Sequence, residues 1–442
     1  MKNPRQKICN CLFFLKASLA VLFGVAGMAY NGYKVSVLHA DAVSKFGRPA
    51  TSVVIDPTST ECNAPVGRAK LEPPDGTIMM GFHPDWIIDL PADIQRKVGF
   101  TPAVFNSFLL MDPTQNPVIP YNLFEWNGQL CRDVSAILSM TIQPVEVAQI
   151  TDKMVEDLAR VCYKINSEYG VPIMLRFGHE MNGDWTAYGY QPTSFRNIFR
   201  RVAVAVQALT NMTAMVWGPN LGINYPFTSP GALVRMPTRS SNPADFALLD
   251  TNNDGVIDSK DDPYIPYYPG DEYVDWVGLS LYWYPDENTG LNVPPPDTYF
   301  YDQLTSTGPT MELVNIAAQG DPTRNFYQRF IVERNKPFMI PETAAPTHPG
   351  VQSRYTEAEI KGKWYDQIFS TENLRRLPRM KLVTQFEEIK SNVIDNRTQD
   401  FRVLNDPPTA KAFKDIMNKN RKLLAYAPDY KVTCGGSYQK KN

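Results

Sequence analysis

Two carboxylates stand where apolar, strand-like runs give out. Glu180 closes VPIMLRFGHE (171–180), and Glu342 lies at the end of KPFMIPET (336–343). A buried strand has no use for an acid at its end unless a proton or a charge is needed there. Two such acids meeting over one bond suit the cleavage of a glycoside. One protonates the departing oxygen, and the other attacks the anomeric carbon or activates water to attack it. A separation of about 5–5.5 Å gives retention and about 6.5–9.5 Å inversion. The acid needs a raised pKa, which burial or a second carboxylate supplies, and Trp185 is placed to cover Glu180. The ionised partner needs donors. Arg176, four residues before Glu180, shares its face by strand alternation, and Tyr282 reaches Glu342 if their strands adjoin. Glu387, in MKLVTQFEE (380–388), is a rival nucleophile at another strand end.

His179 and Glu180 do not open a HExxH zinc motif, because residue 183 is glycine and the chain has only four histidines. No metal or other cofactor is expected in the chemistry. Trp86, Trp126, Trp185, Trp217 and Trp283 fall at or just beyond predicted strand ends. Indoles there can cover the flat C–H faces of pyranose rings, although each would serve equally as core.

A second constellation is DTNNDGVIDSKDD (250–262). Asp250, Asn252 and Asp254 occupy positions 1, 3 and 5 of a calcium loop, with Gly255 at the turn. The Val256 carbonyl at position 7, Asp258 at 9 and Asp261 at 12 complete an oxygen set for a hard cation. Asp261 replaces the usual final Glu, as in dockerin-like loops. A structural Ca2+ is expected, pinning an insertion of about residues 223–272 near the cleft.

The elements that would position these groups alternate. Strand-like runs occur at 77–83, 103–111, 136–142, 171–180, 213–220, 274–283, 336–343 and 380–388. Segments with apolar residues every three or four positions occur at 144–170, 194–209, 324–335 and 357–370 and predict helices. Eight strands, most followed by a helix, predict an α/β fold: a single (β/α)8 barrel with loop insertions, whose reactive groups sit at the C-terminal strand ends. Barrel strands four and seven lie on opposite sides of the mouth, so Glu180 and Glu342 face each other across it.

The 442-residue chain, 43% hydrophobic, can bury a core of that size, and its net charge of −2 gives no sign of a nucleic-acid partner. Residues 1–29 combine a basic start, an apolar run broken by Lys16, and small residues up to Ala29. This is a secretory signal or, if uncleaved, a membrane anchor. Residues 30–74 form an extension, 75–425 the barrel, and 426–442 a tail. Cys62, Cys131, Cys162 and Cys434 remain after cleavage, and a Cys62–Cys434 staple is expected. Sequons at Asn211 and Asn396 fit secretion. The expected molecule is a secreted monomer whose partner is a polysaccharide or oligosaccharide.

RFGHEMNGDW (176–185) resembles the acid/base signature of glycoside hydrolase family 26, whose best-known members are β-mannanases. The resemblance continues through MVWGPN, VDWVGLSLYW and Glu342, over about residues 75 to 390. It implies a retaining double displacement with Glu180 as acid/base and Glu342 as nucleophile. His179, Trp185 and Tyr282 would shape the site. Independently of the resemblance, Arg176, Asn182, Trp86, Trp217 and Trp283 are the candidates, by residue type and position, to contact or orient sugar. The sequence departs from the family pattern at Phe177, Tyr188, the TIQP segment (141–144) and Phe386-Glu387. Those regions bear on the sugar more than on hydrolysis. Endo-β-1,4-mannanase is the first expectation, with β-1,3-xylanase or mixed-linkage β-glucanase next. A wall protein that binds carbohydrate without cleaving it is the reading from another class.

Overall fold

The computed structural model describes residues 55–59, 62–285, 290–307, 322–391, 397–433 and 437–440. The N-terminal segment, Asn396 and Cys434 lie outside them. Cys131 and Cys162 are buried free thiols.

Strands β1 (Ile78–Pro84), β2 (Val104–Met111), β3 (Ile137–Pro144), β4 (Ile173–Phe177), β5 (Thr213–Trp217), β6 (Trp276–Gly278), β7 (Phe338–Thr343) and β8 (Met380–Glu387) pair in chain order, all parallel. β1 also pairs with β8 from Met79↔Leu382 to Pro84↔Glu387, which closes the ring. This is a (β/α)8 barrel. A short hairpin of β9 (Ile389–Ser391) and β10 (Thr398–Asp400) follows β8, and β11 (Leu424–Ala425) adds a parallel strand beside the start of β1.

Helices α1 (Pro91–Val98), α2 (Tyr121–Asp133), α3 (Asp152–Tyr169) and α4 (Pro192–Leu209) follow the first four strands. α5 (Pro243–Leu249) lies between β5 and β6, and α6 (Tyr299–Thr305) between β6 and β7. α7 (Glu357–Ile368) and α8 (Thr371–Arg376) precede β8, and α9 (Pro407–Lys419) follows it. α3 shows why these helices form where they do. Val155, Leu158, Ala159, Cys162 and Ile165 are buried on one face. A lone helix of this length is marginal in water. Burial at about 1.5–3 kcal/mol per large apolar side chain decides the matter. Thr151 accepts the Met154 N–H at its start, and Gly170, at φ +66°, returns its N–H to Asn166 O at its end. The helix is therefore shorter than the periodic run 144–170: residues 147–149 form a 3-10 turn before the cap. The run 324–335 contains a π-helical turn, Tyr327–Val332, in place of an α-helix.

Alternation sorts side chains between two apolar layers. Met79, Val104, Ile137, Met174, Val216, Trp276, Met339 and Leu382 fill the barrel interior. Ile78, Leu138, Leu175, Trp217, Ile340 and Val383 face the helices. Leu71 joins the interior cluster, and Trp276 donates its indole N–H to Lys70 O at 2.6 Å. The 69–72 turn thus stops the N-terminal end of the barrel, leaving the C-terminal end for chemistry.

The β7–β8 register shifts twice: the single step from Phe338 to Met339 spans two on β8, and a second shift lies further along β7. Ile340 pairs with Val383 and Thr343 with Gln385, so three steps on β7 span two on β8. This is a β-bulge, at Pro341, a residue with no N–H to contribute to a ladder. Thr343 turns outward, where its hydroxyl takes the Trp364 indole N–H at 3.0 Å. Pro341 sits against Gly278, and Glu342, next to it, also points inward.

Candidate active site

Glu180 leaves β4 in a tight turn. Gly178 and Glu180 have φ of +62° and +53°, the left-handed region. For a glutamate that conformation costs on the order of 1–3 kcal/mol, so something must hold it. Glu180 N–H donates to Gly218 O at 2.9 Å, and Gly183 N–H donates to Glu180 O at 3.0 Å. Asn182 and Asn220 exchange two hydrogen bonds, at 2.8 and 2.9 Å, which lock this turn to the end of β5. Gly183 is needed because a Cβ there would lie 2.5 Å from the Trp185 ring. The indole N–H of Trp185 in turn donates to Glu180 Oε2 at 2.7 Å.

Glu342 is held differently. Arg176 projects from β4 into the barrel, is fully buried, and bonds through Nη1 to Glu342 Oε1. Tyr282 OH donates to Glu342 Oε2 at 3.0 Å. Gly218 makes the room: a Cβ there would come 2.8 Å from Arg176 Nε. The other guanidinium nitrogen donates to Ser280 Oγ at 2.6 Å. Ser280 and Asn220 also reach the Glu180 side chain. One arginine therefore touches one carboxylate directly and the other through a single hydroxyl.

The two acids are pushed apart in pKa. Burial raises Glu180, the charge of Glu342 raises it further, and Arg176 opposes this without winning. Burial would also raise Glu342. There, however, Arg176, with help from His179 and Lys390, outweighs it and brings the carboxyl down from 4.5 to about 2. At neutral pH Glu342 is ionised, while Glu180 holds its proton to higher pH than an ordinary glutamate. Divergent values in one pocket mark an acid and a base. His179 stays neutral, lowered to about 3 by burial and by Arg176. Its ring lies 3.2 Å from Tyr188 OH and 3.4 Å from Gln143 Nε2.

The structure therefore brings Arg176, His179, Glu180, Asn182, Trp185, Tyr282 and Glu342 into one site. Trp86 is nearly buried and packs against Trp126. Its indole donates to Asn106 O at 2.9 Å, the carbonyl that His83 Nδ1 also meets. Two expected sugar contacts lie elsewhere. Trp217 is fully buried on the helical side of β5, donating to Tyr267 O and stacked near Phe326 and Phe330. Trp283 turns away from the mouth, donating to Val293 O and packing edge-on against Tyr299. Both occupy the opposite face from an inward neighbour, Val216 and Tyr282 respectively. Glu387 is likewise turned away: it accepts the Val403 and Leu404 N–H groups at 2.9 and 2.8 Å, and burial raises it to about 7.

Sequence reasoning missed Ser280 and Asn220, which bridge the two halves of the site. It also missed Tyr284, which is 47% exposed and lies 5.5 Å from the Tyr282 ring. The signal for Ser280 was present, two residues before Tyr282 on one strand face. Lys390 lies over the Phe386 ring at 4.1 Å, and His83 and Glu388 form a 2.8 Å pair beside it.

The acid loop at 250–261 lies in the insertion after β5. Among the described residues, no group of three or more His, Cys, Asp or Glu side chains is gathered closely enough to hold a metal ion.

No protein-family model matches the chain, and no curated protein does. The fold is shared with solved structures. A double mutant of the Cellulomonas fimi endo-β-1,4-mannanase superposes with a TM-score of 0.53 at 14% identity, over 88% of this chain and 81% of that one. A modular endo-β-1,4-mannanase from the same organism, described with the glycoside hydrolase family 26 mannanases, gives 0.52 at 14% identity, over 89% and 81%.

Proposed function

We propose that this chain is a secreted, retaining endo-β-glycoside hydrolase and that its substrate is a β-1,4-mannan or glucomannan. The observation that carries the reading is the pair of buried carboxylates driven to opposite protonation states around Arg176. Glu342, ionised, attacks the anomeric carbon. Glu180 gives its proton to the glycosidic oxygen, which leaves as an alcohol. Glu180, now a carboxylate, takes a proton from water. The resulting hydroxide displaces Glu342 and restores both groups. Trp185 and Asn182 fix Glu180 for both proton transfers, and Tyr282 keeps Glu342 aimed. The barrel shared with endo-β-1,4-mannanases, together with the RFGHEMNGDW segment, supports mannan as the sugar.

The test is turnover of mannan, β-1,3-xylan and mixed-linkage β-glucan by the parent, Glu180→Ala and Glu342→Ala, with the product anomer followed by proton NMR. Mannan should be cleaved with retention, and each variant should lose about 10³-fold or more. Preference for xylan or glucan would overturn the sugar and keep the chemistry. Inverted product would overturn the double displacement. A parent that binds these glycans and cleaves none would overturn the enzyme.

A further inference from the structure

Asp250 ends α5 and is 4% exposed, yet its Oδ1 has no hydrogen-bond partner. Oδ2 of the same carboxylate receives the Gly255 N–H at 3.0 Å, across the turn of the 250–261 loop. The bare oxygen therefore lies within one carboxylate's width of the loop's own interior. A buried, ionised oxygen without a donor is costly unless a cation meets it. Two side-chain cations are near. Arg239 Nη2 is 3.7 Å from the already occupied Oδ2, and Lys260 Nζ is 3.5 Å from Asp258 Oδ2. Both are largely exposed, and neither reaches Oδ1.

We infer that the loop binds one Ca2+ through Asp250 Oδ1, Asn252, Asp254, the Val256 carbonyl, Asp258 and Asp261, and that the ion steadies the acid/base turn. The donors are all oxygen, two of them neutral, which suits a hard cation with flexible coordination. Asp254 and Asp258 each accept a backbone N–H from within the loop through Oδ1, while Oδ2 of each meets a neighbouring loop side chain, Asn252 Nδ2 at 3.1 Å and Lys260 Nζ at 3.5 Å, that a bound cation would displace. The ion would draw these side chains together around the oxygen that is already bare.

The link to the site runs through Arg324. Its Nη2 donates to Ser259 O and Asp261 O at 2.7 and 3.0 Å, and its Nη1 to Gly222 O. Gly222 lies two residues beyond Asn220, the partner of Asn182. The same insertion reaches the turn a second time. Leu233 N–H and Ser229 N–H donate to the carbonyl and carboxylate of Asp184, and Phe227 packs edge-on against Trp185.

The experiment uses the full chain stripped with a chelator, then titrated with Ca2+ by calorimetry and with Tb3+ by luminescence. Melting temperature is followed in parallel. One site is expected, with an affinity between about 10⁻⁶ and 10⁻³ M, a melting temperature raised by Ca2+, and a weaker response to Mg2+ at equal concentration. Asp254 is exposed, so Asp254→Ala should fold, and it should weaken Ca2+ binding about 10-fold or more; Asp250→Ala should weaken it further. No heat and no terbium signal at about 1 mM, or binding unchanged in Asp254→Ala, would overturn the site. Binding that leaves KM and kcat unchanged would overturn the coupling to the turn. Terbium binding is read without turnover, so these outcomes are independent of the hydrolase proposal.

Discussion

Arg176→Met tests the electrostatics most directly. In the parent, Glu342 falls from 4.5 to about 2, a change of about 2.5 units or about 3 kcal/mol. Burial works in the other direction, so the guanidinium must overcome that cost before any net lowering appears. Without it Glu342 stays buried with a tyrosine donor, and its pKa rises above 4.5. Two readouts follow. The acidic limb of kcat/KM against pH should move from about 2 to above 4.5, a shift of more than about 2 pH units. Stability should change with pH as well. In the parent, Glu342 contributes stability above about 4.5, and the contribution is lost as pH falls towards about 2. In the variant the sign reverses. Its contribution is present below about 4.5 and is lost as pH rises through the raised folded value. The gap in melting temperature between parent and variant should therefore widen from about pH 3 to about pH 7. A gap that does not change with pH, or an acidic limb that stays below 4.5, would refute the claim that Arg176 is what keeps Glu342 ionised.

Two further substitutions separate positioning from packing. Gly218→Ala places a Cβ 2.8 Å from Arg176 Nε, in a fully buried setting with no room to yield. It should cost about 1–3 kcal/mol of stability by denaturant unfolding and lower kcat about 10-fold or more as the guanidinium shifts. Glu387→Gln should keep turnover within about 3-fold of the parent, because its carboxylate clamps the 403–404 backbone. A loss of about 10³-fold would instead identify it as the nucleophile.

The barrel was legible because its strands are apolar runs with clear ends, and Glu180 because a histidine, an amide and an indole crowd one carboxylate there. Arg176 followed from alternation along β4, and Tyr282 from β6 lying beside β7. Alternation, applied one residue further, turns Trp217 and Trp283 away from the mouth, because aromatic character at a strand end does not say which face the side chain takes. β6 is shorter than the apolar run 274–283: the ladder runs over Trp276–Gly278, and one isolated bridge, Asn220↔Ser280, continues it. The Ser280–Asn220 link between the carboxylates is a contact between chain segments far apart, which no local pattern encodes. Nor does any local pattern give the inward aim of Glu342, because strict alternation from Met339 would point it at the helices.

That aim makes the position of the second acid a matter of residue count. Deleting Pro341 would take out the extra step of the bulge, and alternation from Met339 would still carry the carboxyl inward. Pairing the strand regularly at its present length would do the opposite and deliver the carboxyl to the outer side of the wall. A stability screen that rewards a smoother strand would score both changes alike, and only an assay of chemistry would tell them apart.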